Sequence, residues 1–135
     1  MTAGARNAGN VYVADWGNAT IRRITPGGVV TTLAGSAGSS GSTDGTGNAA
    51  RFTSPSALSI SPTGDLFVIA GASGETVRKI TAAGVVTTVV GVAGQTSAVV
   101  LGANPRLRNG RAVHAISSNR LLVTADNALL DITLP

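Results

Sequence analysis

The sequence predicts an all-β chain: a partial β-propeller made of four-stranded antiparallel meander blades. Three observations predict it. One stretch is written twice, Gly9 to Gly35 as GNVYVADWGNATIRRITPGGVVTTLAG and Gly64 to Gly91 as GDLFVIAGASGETVRKITAAGVVTTVVG. A third, shorter copy runs from Asn119 as NRLLVTADNALLDITLP. Each copy is a series of short β-prone runs separated by turn residues, so each is one small sheet that cannot bury its own faces alone. Four short strands in a unit of about 40–55 residues is the sequence signature of a propeller blade. A β-sandwich is the rival, but its strand lengths and turn signals would not recur so regularly.

The elements follow in order, with the strands of a blade lettered A to D. Gly9-Asn10 turns the chain into Val11–Ala14, the first B strand. Asp15 to Asn18 breaks it, and Thr20–Thr25 is strand C, closed by Pro26-Gly27-Gly28. Val29–Leu33 is strand D. In the second copy an A strand precedes these three, Phe52–Ile60, punctuated by Pro55. Pro62-Thr63-Gly64 then turns the chain into Leu66–Ile69. In the third, Leu107–Ile116 is A, Leu121–Thr124 is B and Leu129–Thr133 is C. This inventory gives about ten strands, roughly two and a half blades. The expected organisation is a single unit over 1–135. It comprises a partial blade 9–35, a loop 36–50, a blade 51–91, a loop 92–104 and a partial blade 105–135.

Composition supports a packed core. Apolar residues make up 43% of the chain but aromatic residues only 3%, so the core must be built from Val, Ile, Leu and Ala, with Tyr12, Trp16, Phe52 and Phe67 as its only large rings. The net charge is +4, and its Arg residues are scattered rather than clustered. That pattern reads as ordinary surface charge and argues against a nucleic-acid partner. The absence of Cys excludes disulfides and thiolate metal sites. No apolar stretch of signal-peptide length opens the chain, and no run approaches the ~20 apolar residues of a membrane span. A membrane partner and an export address are therefore not expected of the sequence as it stands, and the compartment is left open.

The repeated residues resemble NHL-repeat β-propellers of the bacterial type. The pattern is carried by Gly9, Val11-Tyr12-Val13-Ala14-Asp15, Asn18, Ile21-Arg22 and Ile24. It continues through Gly28, Val30-Thr31-Thr32-Leu33-Ala34-Gly35, Asp44-Gly45-Thr46-Gly47 and Ala50-Arg51-Phe52 with Pro55. YWTD-type propellers share the B–C pattern, but the TTLAG and ARF elements favour NHL. The second copy departs from the pattern, with Ala70 where Asp15 stands in the first, and the loop 92–104 lacks the D-G-x-G sequence. The third keeps Asp126-Asn127, but its A strand lacks the proline. Propellers close with about 4–8 blades, and an open piece leaves unpaired blade faces. The first blade is expected to lack A and the third to lack D, so the reading is a fragment of a longer propeller that self-associates through its open faces.

In a meander the B–C turns and D–A connections lie at one end, and here that end carries Asp15-Trp16-Gly17-Asn18 and the Gly/Ser-rich loop 36–50. Elaborated loops on a rigid scaffold are where function concentrates. The candidate ligand-binding residues on this loop face are Asp15, Trp16, Asn18, Asp44 and Asn48. Asp15 could ligate a metal or act as a base, but in a repeated turn its carboxylate is expected to accept backbone N–H bonds. Trp16 could stack on a sugar or a base, or pack against the neighbouring blade. Asp44 and Asp65 are expected to form turns, and their loops do not match an EF-hand. His114, the lone histidine, has no paired Ser, Cys or second His and is expected to be structural. Arg22-Arg23 and Arg78-Lys79 recur in the C strands, with one of each pair on each face and the charged heads reaching solvent. No phosphate loop occurs, because the Gly-rich stretch lacks a GK[ST] ending.

The reading is a non-enzymatic binding scaffold that recognises a protein or glycan through the loop face, with no cofactor, no catalytic residue and no metal. The resemblance also implies two rivals. Some NHL-like propellers are metal-dependent lyases or hydrolases, and some bind RNA across a basic face. One His and six acidic residues, mostly in turns, argue against the first, and the scarcity of stacking aromatics argues against the second.

Overall fold

The structure, a computed structural model, describes residues 3–94, 107–126 and 128–135. Twelve strands occur among them rather than the ten expected, because Ala3–Asn7 and Gly45–Thr46 also pair, and they are arranged in three antiparallel sheets. The first sheet is β1 (Ala3–Asn7), β2 (Asn10–Asp15), β3 (Thr20–Ile24) and β4 (Val30–Gly35), in sequential order. The second is β6 (Ala57–Ile60), β7 (Leu66–Ala70), β8 (Thr76–Ile80) and β9 (Val85–Gly91), with the two-residue β5 (Gly45–Thr46) added outside β9. The third is β10 (Gly110–Ala115), β11 (Arg120–Ala125) and β12 (Ala128–Thr133). The loop 92–104 lies mostly outside the described residues.

The sheets are equivalent in register. Tyr12 faces Arg23 across β2–β3, Phe67 faces Lys79 across β7–β8, and Leu122 faces Asp131 across β11–β12. The same bulge interrupts strand D of both complete sheets: between Ile21 and Arg22 opposite β4, and between Val77 and Arg78 opposite β9. Gly35 and Gly91 end those strands with φ of 91° and 84°. A Cβ at Gly91 would lie 1.9 Å from the Glu75 carbonyl oxygen, so only glycine lets the D strand leave the sheet there.

Stacking buries what each sheet alone leaves open. Tyr12, Ala14, Ile21 and Ala34 of the first sheet meet Leu66, Val68, Ile80 and Val86 of the second, with Phe52 wedged among them. The other face of the second sheet, carrying Phe67, Ile69, Val77 and Val90, meets Leu121, Val123 and Ala125 of the third. β7 is therefore buried along its whole length, as a strand covered on both faces must be. The first strands lie side by side, β1 against β6 and β6 against β10, and the Ala115 N–H donates to Ser59 Oγ at 3.0 Å across that inner ring. Three meanders arranged in this way form a partial β-propeller with the first strands innermost.

Three expectations are corrected. The first sheet is not missing its A strand and does not begin at Gly9, because Ala3–Asn7 pairs with β2 from Ala3↔Ala14 to Asn7↔Asn10. That segment, AGARN, has little intrinsic β preference, and it is a strand because the inner edge of β2 offers it a ladder. The second and third A strands are shorter than Phe52–Ile60 and Leu107–Ile116, spanning Ala57–Ile60 and Gly110–Ala115. Phe52 and Pro55 belong to a connection, whose Thr53 carbonyl accepts from the Gly71 N–H at 2.6 Å. The loop 36–50 is not free of strand: β5 pairs with Val85–Val86, and the Gly47 N–H donates to the Gly84 carbonyl at 2.9 Å.

Candidate functional site at the loop face

The turn between β2 and β3 is a short 3-10 turn, Trp16–Asn18, that leaves through Ala19 in the left-handed region. Asn18 Nδ2 donates to Asp15 Oδ2 at 2.8 Å. The Asp15 carboxylate thus closes the turn through a side-chain amide rather than through the backbone N–H groups expected of it; no side chain caps the 3-10 turn. Rigid at its base, this turn holds Trp16 out of the core. The indole is 56% exposed, so packing against the next sheet does not consume it.

Trp16 stands between two open cavities at this end of the sheets. One, of about 360 Å³, is bounded by Trp16, Ser54, Ser56, Ser73, Asn109 and Arg111, together with the Gly71–Gly74 turn. Its polar groups come from all three sheets: the turns after β2 and β7, the entry to β6 and the start of β10. The other, of about 290 Å³, is bounded by Trp16, Asn18, Ser40, Thr53 and Ser54. An aromatic plate beside hydroxyl, amide and guanidinium groups can bind a flat, polyhydroxylated molecule by stacking and hydrogen bonding.

Around the cavities the backbone is fixed by carboxylates. Glu75 Oε2 accepts from the Ser73 N–H at 2.9 Å and Oε1 from the Gly94 N–H at 3.1 Å, so one buried carboxylate joins the two loops at the top of the second sheet. Asp126 Oδ1 accepts from Asn109 Nδ2 at 2.7 Å, which ties the entry of β10 to the turn after β11.

The structure brings Asp15, Trp16 and Asn18 together and sets the other two candidates apart from them. Asp44 lies on the outer edge of the second sheet. Its Oδ1 accepts from Arg78 Nη2 at 2.7 Å and from Thr88 Oγ1 at 2.9 Å, and its Oδ2 accepts from the Thr88 N–H at 2.9 Å. Asn48 follows β5, next to the turn between β8 and β9, which is the end of the meander away from Trp16. Its carbonyl accepts from Arg51 Nη1. Both residues are exposed, and both belong to the hairpin that straps the first sheet's exit loop along the second sheet.

Sequence reasoning missed Glu75, Ser54, Ser56, Asn109 and Arg111. Glu75 carried a signal, because it lies where the second copy holds one residue more than the first. The others gave none, since each is a common loop residue that meets Trp16 only after the sheets stack. The basic pairs also differ from expectation. Arg78 keeps its head between the sheets, 1% exposed, donating to the Thr43 and Arg51 carbonyls at 3.0 Å each and lying 5.1 Å from the Phe52 ring centre. Its partner Lys79 reaches the surface and pairs with Asp65 at 3.0 Å. His114 is exposed on β10. No group of three or more His, Cys, Asp or Glu is gathered among the described residues. No helix among them is long and apolar enough to cross a membrane.

No protein-family model matches the sequence, and no curated protein matches it at a significant level. Solved structures do match. A Bacteroides thetaiotaomicron protein of unknown function superposes with a TM-score of 0.80 at 21% identity, over 93% of this chain and 32% of its own. An auxiliary nutrient binding protein from the same organism gives 0.74 at 17%, over 93% and 35%. Virginiamycin B lyase from Staphylococcus aureus, a β-propeller, gives 0.65 at 18%, over 98% and 37%. The chain spans about a third of the length of each of these proteins. At such identities the likeness is one of fold, and by fold this chain is a partial β-propeller of antiparallel meander blades.

Proposed function

We propose that this chain is part of a non-enzymatic recognition propeller of the NHL-repeat kind, and that its loop face binds a glycan. The observation that carries the reading is Trp16: a large exposed indole held on a closed turn above a cavity lined by hydroxyl, amide and guanidinium groups from three sheets. Stacking of a sugar ring on the indole with hydrogen bonds from Ser54, Ser73, Asn109 or Arg111 to its hydroxyls is the chemistry this arrangement offers. The nutrient-binding role of one structural neighbour agrees with a binding reading, and the lyase among the neighbours keeps an enzyme as the alternative. A protein ligand would use the same face.

Trp16 is the only tryptophan, so its fluorescence reports on this site alone. Titration with a panel of neutral and acidic oligosaccharides should give a saturable change in emission, and calorimetric titration should show the same binding to the parent and none to Trp16→Ala, whose melting temperature should not move. A flat response to every oligosaccharide at millimolar concentration would overturn the glycan reading.

A further inference from the structure

The two complete sheets carry the same socket, and only one is filled. In the second sheet Arg78 stands opposite Val68 on β7 and Thr88 on β9, and the preceding loop inserts Asp44 against Arg78 and Thr88. In the first sheet Arg22 stands opposite Val13 on β2 and Thr32 on β4, with the same bulge beside it. Among the described residues no carboxylate or carbonyl accepts from the Arg22 side chain. The apolar surround repeats as well. Leu66, Val68, Ile80 and Val86 are buried by the first sheet, whereas their counterparts Val11, Val13 and Ile24 are half-buried; Val30 is 50% exposed where Val86 is 1% exposed.

We infer that the free face of the first sheet is a docking surface for a preceding propeller blade in a longer chain, whose exit loop carries an aspartate that pairs with Arg22 and Thr32. The second sheet shows the required occupant chemistry: a carboxylate from a Gly-rich loop, two carbonyls for the guanidinium and an aromatic ring beneath it. A second copy of this chain fits less well. Its one aspartate of this kind, Asp44, is held by its own Arg78, and its other inter-sheet loop, 92–104, contains no acidic residue. Chains about three times as long share this fold, which leaves room for such a blade. The inference is independent of what the loop face binds.

The test adds a copy of residues 9–56 directly ahead of Ala3 and compares the extended chain with the original. The extended chain should melt higher. Arg22→Ala should lower its melting temperature by about 5 °C or more, and should move that of the original by less than about 2 °C. Changing the added copy's counterpart of Asp44 to Asn should do the same, and the two changes together should cost no more than either alone. Equal effects of Arg22→Ala in both chains, or no effect of the added aspartate, would overturn the inference. So would concentration-dependent association of the original chain that Arg22→Ala abolishes, because that assigns the face to a second copy. If the extended chain does not fold, a peptide of residues 36–56 titrated onto the original chain should shift the Arg22 Nε–H resonance. An Asp44→Asn peptide should not, and no shift with the first peptide at millimolar concentration counts against the proposal.

Discussion

Removing the Asp44 carboxylate tests how the sheets are joined. Asp44→Ala removes one charge-assisted bond to Arg78 and two bonds to Thr88, leaving the Arg78 cation between two sheets with the Thr43 and Arg51 carbonyls as acceptors. Stripping a fully buried cation of its partner costs about 3–5 kcal/mol. Here the Asp44 side chain is 45% exposed, so water can take part of its place and the figure must be discounted. About 2 kcal/mol is the expected loss, which for a chain of this size lowers the melting temperature by about 6–10 °C. The assay is thermal and urea denaturation followed by circular dichroism. Asn48→Ala, on the same hairpin but without a described side-chain partner, serves as the control and should stay within about 0.5 kcal/mol of the parent. Because the cost is that of an unpaired cation, adding Arg78→Met to Asp44→Ala should restore part of the loss. An Asp44→Ala variant as stable as the Asn48→Ala control, or a double variant whose losses simply add, would refute the reasoning.

Three further outcomes follow from the packing. Phe52→Ala empties a fully buried ring between the first two sheets and should cost about 3–5 kcal/mol, read by the same denaturation curves; a loss below about 1 kcal/mol would mean that the wedge does not hold the sheets. Gly91→Ala forces a side chain onto a φ of 84° and against the Glu75 carbonyl, so it should cost about 2 kcal/mol or more, whereas Gly17→Ala, which meets nothing within 4 Å, should cost far less. The bidentate hydrogen bond from Arg120 holds the Asp131 carboxyl below its ordinary value, so the pair's contribution is present above the ordinary carboxylate range and lost as pH falls through the lowered folded value. Both groups are exposed, so the difference between the parent and Asp131→Asn on acidification should be small and should vanish in high salt; a large salt-insensitive difference would contradict this placement.

The sequence by itself determined the repeat, the meander within each repeat, and the B, C and D strands, because those depend on contacts between residues near one another in the chain. Val11–Ala14, Thr20–Thr25 and Leu66–Ile69 are β-prone runs between turn residues, and the register that pairs them follows from turn length. It also picked out the turn that presents Trp16. What it did not determine was anything that exists only where two sheets meet. Ala3–Asn7 has no strand signal and pairs because β2 leaves an edge open to it. Arg22 and Arg78 occupy the same register position, yet one guanidinium is locked against Asp44 and the other has no carboxylate among the described residues. Only the path of the hairpin from the first sheet along the second decides which. Asp44 and Asn48 read as loop-face residues because the loop leaves from that face, but the Gly45–Thr46 pairing draws them along the outer edge to the other end. Local spacing sets which strands form, and the loop's hydrogen bonds to the neighbouring sheet set which charges are buried and which side chains remain free to meet a ligand.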